Sequence, residues 1–435
     1  MVRVRVMRPV VSVVKYVDAY RSLREAIELC NGLDGFSRHD KILIKPNIVA
    51  WDFELPFPPF GVVTTSAVMF ALVQILAEEG FRNITIGEAS RPVPKTQGRA
   101  IYKALGYEKL RENYGVELVD FNEEEFAPVD FGSFKLSVAR KALEADKIIN
   151  VPVLKTHNQC KVSLGIKNLK GVLDRKSKMF CHNTETDLNY IFPHIIEKLP
   201  VALTIIDGVF TLEKGPGPTG KAHRKDLLIA SRDPLACDVV GAAIMGYHAS
   251  EVPSLKYFAE RHGRSLDLAD IEVRGEEIAK HSSYVEYDWE WTKDNTGPVG
   301  FEKRGITGLA VRKYDNTLCT GCSMLYNPML VMLMSAFKGE PFPGIEVVTG
   351  KQQLAGPGFA KTVLFGQCAC KLNRNNPNIQ KAIRIPGCPP DLKRFEKAMR
   401  EEGIGCDYND YVRYRHYIFE RYRNREEFDL GLYLK

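Results

Sequence analysis

Short, nearly continuous apolar runs alternate with longer stretches of helical periodicity over residues 1–250. Runs of the first kind suit strands covered on both faces, and a 3.6-residue recurrence suits the helices that cover them. The runs predict strands over 41–44, 83–86, 116–120, 147–154, 199–206 and 226–231. Helices are expected over 22–30, 66–79 and 97–105, the second capped by Thr64 or Thr65 and stopped by Gly80. Asp233 caps a further small-residue helix, DPLACDVVGAAIMGY. The Val/Arg alternation of MVRVRVMRPVVSVV predicts an edge strand. Such an order implies an α/β fold, a Rossmann-like parallel or mixed sheet domain.

Beyond residue 250 the rhythm changes. Residues 251–305, with the acidic and aromatic YVEYDWEW, read as a variable connection. Residues 306–435 read as a smaller C-terminal α/β domain with strands over 361–365 and 383–385 and a helix that starts at Pro389 and Pro390 and runs to Glu402. In the final stretch, YVRYRHYIFERYRNR, Tyr411, Tyr414, Ile418 and Tyr422 recur at helical spacing, which predicts a docking or homodimer helix with an Arg-rich outer face.

With 435 residues, 45% of them hydrophobic, the chain can bury a large core in two or three units. A net charge of +6 is mildly basic and suits small anionic ligands or an acidic protein partner. It does not suit a dedicated nucleic-acid surface, because no long Lys/Arg run dominates. No secretory leader and no membrane-length apolar run is read, so a cytoplasmic location without membrane contact is expected. In that setting the 10 cysteines point to metal or redox chemistry sooner than to disulfides.

The densest chemistry follows the strand over 147–154, in ADKIINVPVLKTHNQCKVSLGIKNLKGVLDRKSKMFCH. In wound sheets ligands bind beyond the carboxyl ends of strands. Here that end carries Lys155, Thr156 and His157, then Ser163, Gly165, Lys167, Asn168 and Gly171. Earlier strand ends add Lys45 and Asn47, then Glu88, Ser90 and Arg91 in GEASRP. His157 and His182 can move protons or bind metal, and Lys167 can form a carbonyl adduct or hold an anion. Lys45, Asn47, Arg91, Thr156, Ser163 and Asn168 are the candidate groups for holding a carboxylate, phosphate or cofactor. A plain capped junction, with Lys161, Lys167 and Lys170 as a solvated face, would produce the same pattern. The loop WDFELPFPPFG reads as a lid or a packed surface loop, and KGPGPTGK at 214–221 as a weak anion-nest candidate.

A second signal lies in CTGC (Cys319, Cys322), GQCAC (Cys368, Cys370) and PGCPP (Cys388). If the strands leading into these loops are parallel neighbours, four thiolates converge at one sheet edge. One CxxC with two separate cysteines, the last followed by Pro, fits a 4Fe-4S cluster better than zinc, so Cys319, Cys322, Cys368 and Cys388 are the expected ligands. Cys370 can replace Cys368, since a strand continuing through both would give them one face. Cys30, Cys237 and Cys406 read as core, and Cys160 and Cys181 as buried neighbours of the central cluster.

The segments KILIKPN, NITIGEASR, ADKIINVPVLKTH, VSLGIKNLKG, LTIIDGV with GPGPTG, and SRDPLACDVVGAAIMGY resemble the domain of unknown function family 362 over residues 40–248. Members of that family often carry an iron-sulfur module, which the resemblance therefore implies for the C-terminal domain. A more distant resemblance is to the lactate racemase family, in which His, Ser, Gly, Lys and a later His surround a nickel pincer cofactor bonded to the Lys. His157, Ser163, Gly165, Lys167 and His182 stand in that order, with Arg91 matching a family Arg, but Ser90 replaces the His before it.

Three functions follow as expectations. The first is an iron-sulfur oxidoreductase or electron-transfer protein acting on a small anionic substrate or second cofactor, with a redox partner protein. The second is a lactate-racemase-like isomerase or epimerase with a nickel or Lys-bound cofactor. The third is a nucleic-acid or protein-binding module.

Overall fold

A computed structural model describes residues 8–90 and 97–434. The strands are β1 (Val10–Lys15), β2 (Ile42–Pro46), β3 (Ile84–Glu88), β4 (Glu117–Asp120), β5 (Phe126–Asp130), β6 (Lys135–Ala139), β7 (Lys147–Val151), β8 (Val153–His157), β9 (Lys161–Ser163), β10 (Val201–Glu213), β11 (Lys221–Ser231), β12 (Glu272–Gly275), β13 (Leu309–Val311), β14 (Ile345–Thr349), β15 (Lys361–Phe365) and β16 (Ala382–Ile385). A 10-stranded sheet runs in the order β12-β1-β11-β10-β7-β2-β3-β4, and β8 and β9 extend it from β10. Strands β2, β3, β4, β7 and β10 are parallel, whereas β11 is antiparallel to both β10 and β1. The fold is therefore mixed α/β.

Sequence explains why β7 is central. Ile148 packs in one core while Ile149 and Val151 pack in the other, as alternation across a pleat requires. Helices Ala19–Leu29 and Ser66–Glu78 cover one face, and Leu188–Glu197 and Pro234–Ile244 the other. Asp233 caps the last of these, accepting from Ala236 N at 2.9 Å, as expected.

Several expectations need correction. The run over 147–154 is two strands, because Pro152 has no N–H for a ladder. Strand β1 is no edge, since it lies between β11 and β12; the first seven residues of that segment fall outside the described ones. Thr65 occupies the cap of its helix without a side-chain capping bond, and its N–H donates instead to Asp207 Oδ2 at 2.7 Å. The 214–221 segment is the tip of the β10–β11 hairpin, not an anion nest: Lys214 N donates to Glu286 O, Gly215 N to Thr156 Oγ1 and Gly220 N to Gly217 O. Within the connection, β12 joins the large sheet.

The C-terminal sheet is wholly parallel, in the order β13-β14-β15-β16. One face packs on helices Thr320–Ala336 and Leu392–Glu401 through Met329, Leu333, Phe395 and Met399, and the other on helix Gln367–Leu372 through Ala369. The Leu392–Glu401 helix starts after the two prolines, under an Asp391 cap.

The terminal helix Tyr408–Glu420 docks on its own chain. Arg415, 2% exposed, donates to Asp52 Oδ2 (3.0 Å), the Pro56 carbonyl (2.6 Å) and the Tyr411 hydroxyl (2.9 Å). The tail beyond it returns to the first domain, where Tyr422, Phe428 and Tyr433 surround Phe60 at 5.1–5.6 Å between ring centroids. The loop carrying Phe57 and Phe60 is thus packed, not a free lid. Among the described residues no helix is long and apolar enough to cross a membrane.

Phe60 joins the two halves, so Phe60→Ala is expected to cost about 3–5 kcal/mol of stability, read as a lower urea midpoint in equilibrium unfolding.

Candidate functional site

The carboxyl ends of β2, β3 and β7 meet in a buried polar network. Lys45 Nζ lies 2.6 Å from Glu88 Oε2 and 2.7 Å from the Pro46 carbonyl, and both side chains are almost wholly enclosed. Glu88 Oε2 also accepts from Ile48 N at 3.2 Å. Asn168 is the hub: its Oδ1 accepts from Asn47 Nδ2 (2.9 Å), and its Nδ2 donates to Asn150 Oδ1 (2.8 Å). Lys155 Nζ donates to Asn47 Oδ1 and the Val62 carbonyl, each at 2.6 Å. Gly171 is required beside the pair, because a Cβ there would overlap Glu88 Oε1 and stand 2.6 Å from the Lys45 amine. Lys45, Asn47 and Asn168 are therefore saturated by one another and by Glu88.

Thr156 is turned away from this cluster and pins the hairpin tip, donating to the Leu212 carbonyl at 2.8 Å and accepting from Gly215 N at 3.1 Å. Arg91 lies outside the described residues.

Next to the network lies a second group of cations. The short helix Gly165–Asn168 is fixed by Asp238, whose carboxylate accepts from Gly165 N (2.7 Å) and Ile166 N (2.9 Å). It presents Lys167, 3.3 Å from Ser163 Oγ, and the turn after it presents Lys170, 2.7 Å from His182 Nε2. His182 Nδ1 is 2.8 Å from the Asn316 carbonyl, so Nδ1 carries the proton and Nε2 accepts from Lys170. His157 Nδ1 accepts from Gln159 N at 3.1 Å, which leaves Nε2 as its protonated nitrogen. Among the described residues Lys155, Lys167, Lys170, Lys178 and Lys351 make no ion pair. Burial lowers the Lys167 amine to about 8 and also draws Lys155 well below the usual lysine range, with the charge of Lys167 adding to it. Lys155 is fully buried and the other four are half-buried, so the group gathers positive charge away from open solvent.

The cysteine loops stand against this group. Cys319 caps the Thr320–Ala336 helix, and Cys368 and Cys388 follow the neighbouring parallel strands β15 and β16. The Cys319 thiol is drawn down, foremost by a hydrogen bond from the Cys322 thiol, and the same bond pushes Cys322 up, with the charges of Cys368 and Cys388 adding to it. A Cβ on Gly366 would lie 3.2 Å from Cys322 Sγ, and one on Gly321 3.5 Å from Pro389, so the three loops abut.

Cys370 does not share a face with Cys368. Both lie on helix Gln367–Leu372, where residues two apart diverge, and Cys370 Sγ turns back to the Leu364 carbonyl at 3.4 Å. Cys30, Cys160, Cys181, Cys237 and Cys406 are buried. Among the described residues no group of three or more His, Cys, Asp or Glu converges as the ligands of a single metal ion.

Sequence reasoning missed the junction between the two groups. Lys351, at the carboxyl end of β14, donates to the His182 carbonyl, and its N–H donates to Thr317 Oγ1 at 3.1 Å. Gln159 Nε2 donates to the Asp315 and Leu318 carbonyls, both at 3.0 Å. Lys351 was findable as a Lys directly after an apolar run, IEVVTGK. Lys170, which the capped-junction alternative places on a solvated face, gave no sequence sign of its His182 partner.

Together these features define a mixed-sheet α/β domain with a cation-rich strand-end site, closed on one side by the thiol-bearing end of a smaller parallel sheet. Residues 42–243 match the family described as Domain of unknown function (DUF362), within the 40–248 segment that the motifs delimit. The chain is also 29% identical over 257 residues to the Thylakoid-associated protein sll1697 of Synechocystis sp., covering 58% of this chain and 77% of that protein. Among solved structures, the lactate racemase apoprotein from Thermoanaerobacterium thermosaccharolyticum aligns with a TM-score of 0.34 at 16% identity. That alignment covers 54% of this chain and 57% of the other.

Two outcomes follow from these charges. Removing one partner of the buried Lys45–Glu88 pair by Glu88→Gln is expected to cost about 3–5 kcal/mol in urea unfolding, and the double change Lys45→Met with Glu88→Leu less. The second concerns pH. His157 and His182 are both held well below the usual imidazole value, foremost by burial and next by Lys167 and Lys170 respectively. Their neutral forms favour the folded state above the unfolded pKa of about 6.5, and that contribution is lost as pH falls from there toward the folded values. Unfolding free energy is expected to drop between about pH 7 and pH 5, with a shallower slope in the His157→Asn, His182→Asn variant.

Proposed function

We propose that Cys319, Cys322, Cys368 and Cys388 bind a 4Fe-4S cluster, and that the protein is an oxidoreductase or electron-transfer protein acting on a small anionic substrate or second cofactor held by Lys167, Lys170, His157 and His182. The observation that carries this reading is the placement of three cysteine loops at the carboxyl ends of one parallel sheet, whose neighbouring loop reaches His182 through Lys351. The donor set suits the group: four thiols, Cys-Pro at the last, mutually coupled in charge. When bound, such a cluster supplies electrons one at a time.

The chain's own residues do the rest. Lys167 and Lys170 neutralise the anion, Ser163 aims Lys167, and His157 presents Nε2–H as a donor. The Lys170–His182 pair, 2.7 Å apart and anchored to Asn316, can hold or release a proton beside the substrate. A second reading, an isomerase with a nickel or Lys-bound cofactor, draws on the Lys167 amine lowered to about 8, which leaves part of it neutral and nucleophilic near physiological pH.

Anaerobic purification with iron, sulfide, nickel and zinc analysis tests both readings. About four irons per chain are expected, lost in Cys368→Ala and kept in Cys370→Ala. Iron that is absent, or equally affected by both changes, would overturn the cluster. Nickel, or a Lys167 adduct in intact mass, would favour the second reading.

A further inference from the structure

The charge of the chain is not spread evenly. Residues 367–400 contain eight Lys or Arg against Asp391 and Glu396, an excess of six, which equals the net +6 of all 435 residues. The segment that carries Cys368 and Cys388 is thus strongly basic. All eight cations are exposed. Lys381 and Arg400 have carboxylate partners. Among the described residues Lys371, Arg374, Arg384, Arg394 and Lys397 make no ion pair.

Their placement gives one rim. Arg384 lies on β16, the edge strand of the C-terminal sheet. Lys371 and Arg374 come from the helix on one face of that sheet and the turn after it, and Arg394 and Lys397 from the helix on the other. Cys388, the exposed cysteine among those described, opens at the carboxyl end of the same strand. On the same segment a shallow depression of about 620 Å³ is lined by Lys371, Arg374 and Asn375 together with Leu354 and Leu372, which are 54% and 39% exposed.

We infer that this rim is the docking surface for an acidic electron-carrier protein, seated over Cys388. The inference rests on the cluster reading for the carrier's role, but the surface itself is defined by charge. A wide field of unpaired cations steers an oppositely charged protein, and the two exposed leucines supply apolar contact inside a polar rim. Single-stranded nucleic acid is disfavoured because the segment's aromatic side chain, Phe395, is fully buried and offers no stacking face.

The test titrates the anaerobically purified full chain with oxidised plant-type ferredoxin, an acidic carrier, by calorimetry. Binding should weaken steeply with salt, and Arg374→Glu, Arg384→Glu, Arg394→Glu together should raise Kd by at least about tenfold. Far-ultraviolet circular dichroism and urea unfolding should leave that variant unchanged, since none of the three side chains is paired. No binding by the unaltered chain, or equal binding by the variant, would overturn the surface. So would a single-stranded oligonucleotide that displaces the ferredoxin, which would assign the rim to nucleic acid. Iron is measured on the same samples: salt-sensitive binding without iron supports the surface and removes the cluster, whereas iron without binding removes the surface alone.

Discussion

A buried ammonium balanced by one carboxylate, Lys45 against Glu88, is the interaction on which the first domain's site depends. Withdrawing both charges from water is costly, and attraction at 2.6 Å offsets that cost only when the remaining donors and acceptors are also met. Here they are, by the Pro46 carbonyl, Ile48 N and Asn168. The arrangement forces the next step. Because Asn168 and Gly171 must both come up against the pair, the chain between them is held against the strand ends, and Lys167 and Lys170 are fixed with it.

The same pair uses the negative charge that stands among these lysines. Glu88 is committed to Lys45, so Lys155, Lys167, Lys170 and Lys351 share an enclosed region without a counter-ion of their own. Burial foremost, then the charges of Lys167 and Lys170, keeps His157 and His182 neutral, and their hydrogen bonds to Gln159 N and the Asn316 carbonyl fix their tautomers. On the proposed reading, a ligand that brings negative charge relieves the repulsion among these groups. Lys351 extends the region across to the C-terminal sheet, so the cysteine loops and the cation cluster are parts of one junction.

Much of this was legible in the chain where local pattern decides structure. The buried run of β7, the helix after Asp233 and the cysteine loops after β15 and β16 all follow from periodicity and turn residues. The errors arose where one residue or a distant partner overrules the pattern. Pro152 divides an apolar run that otherwise reads as one strand, and a helix in place of a strand separates Cys368 from Cys370. Thr156 sits in the most suggestive tripeptide of the sequence, yet its hydroxyl is claimed by Leu212 and Gly215, more than fifty residues away. The Lys170–His182–Asn316 chain crosses between domains, and nothing local announces it. The cations of 367–400 were visible as letters but are interrupted by apolar residues, so no run marks them.

On the proposed reading, the cations around the thiols divide by depth. Four thiols must lose their protons to ligate metal, and a positive neighbour favours the thiolate. Lys351, half-buried, acts on Cys319 and Cys368, and Lys371 acts on Cys368 from closer to solvent. The outer arginines are poorly suited to that task, because charges facing water are screened over about 10 Å at moderate salt. What screening leaves them is the role of meeting another charged surface at short range. Inner lysines therefore suit the chemistry of the proposed centre, and the unpaired outer arginines suit the proposed approach of a partner beside Cys388.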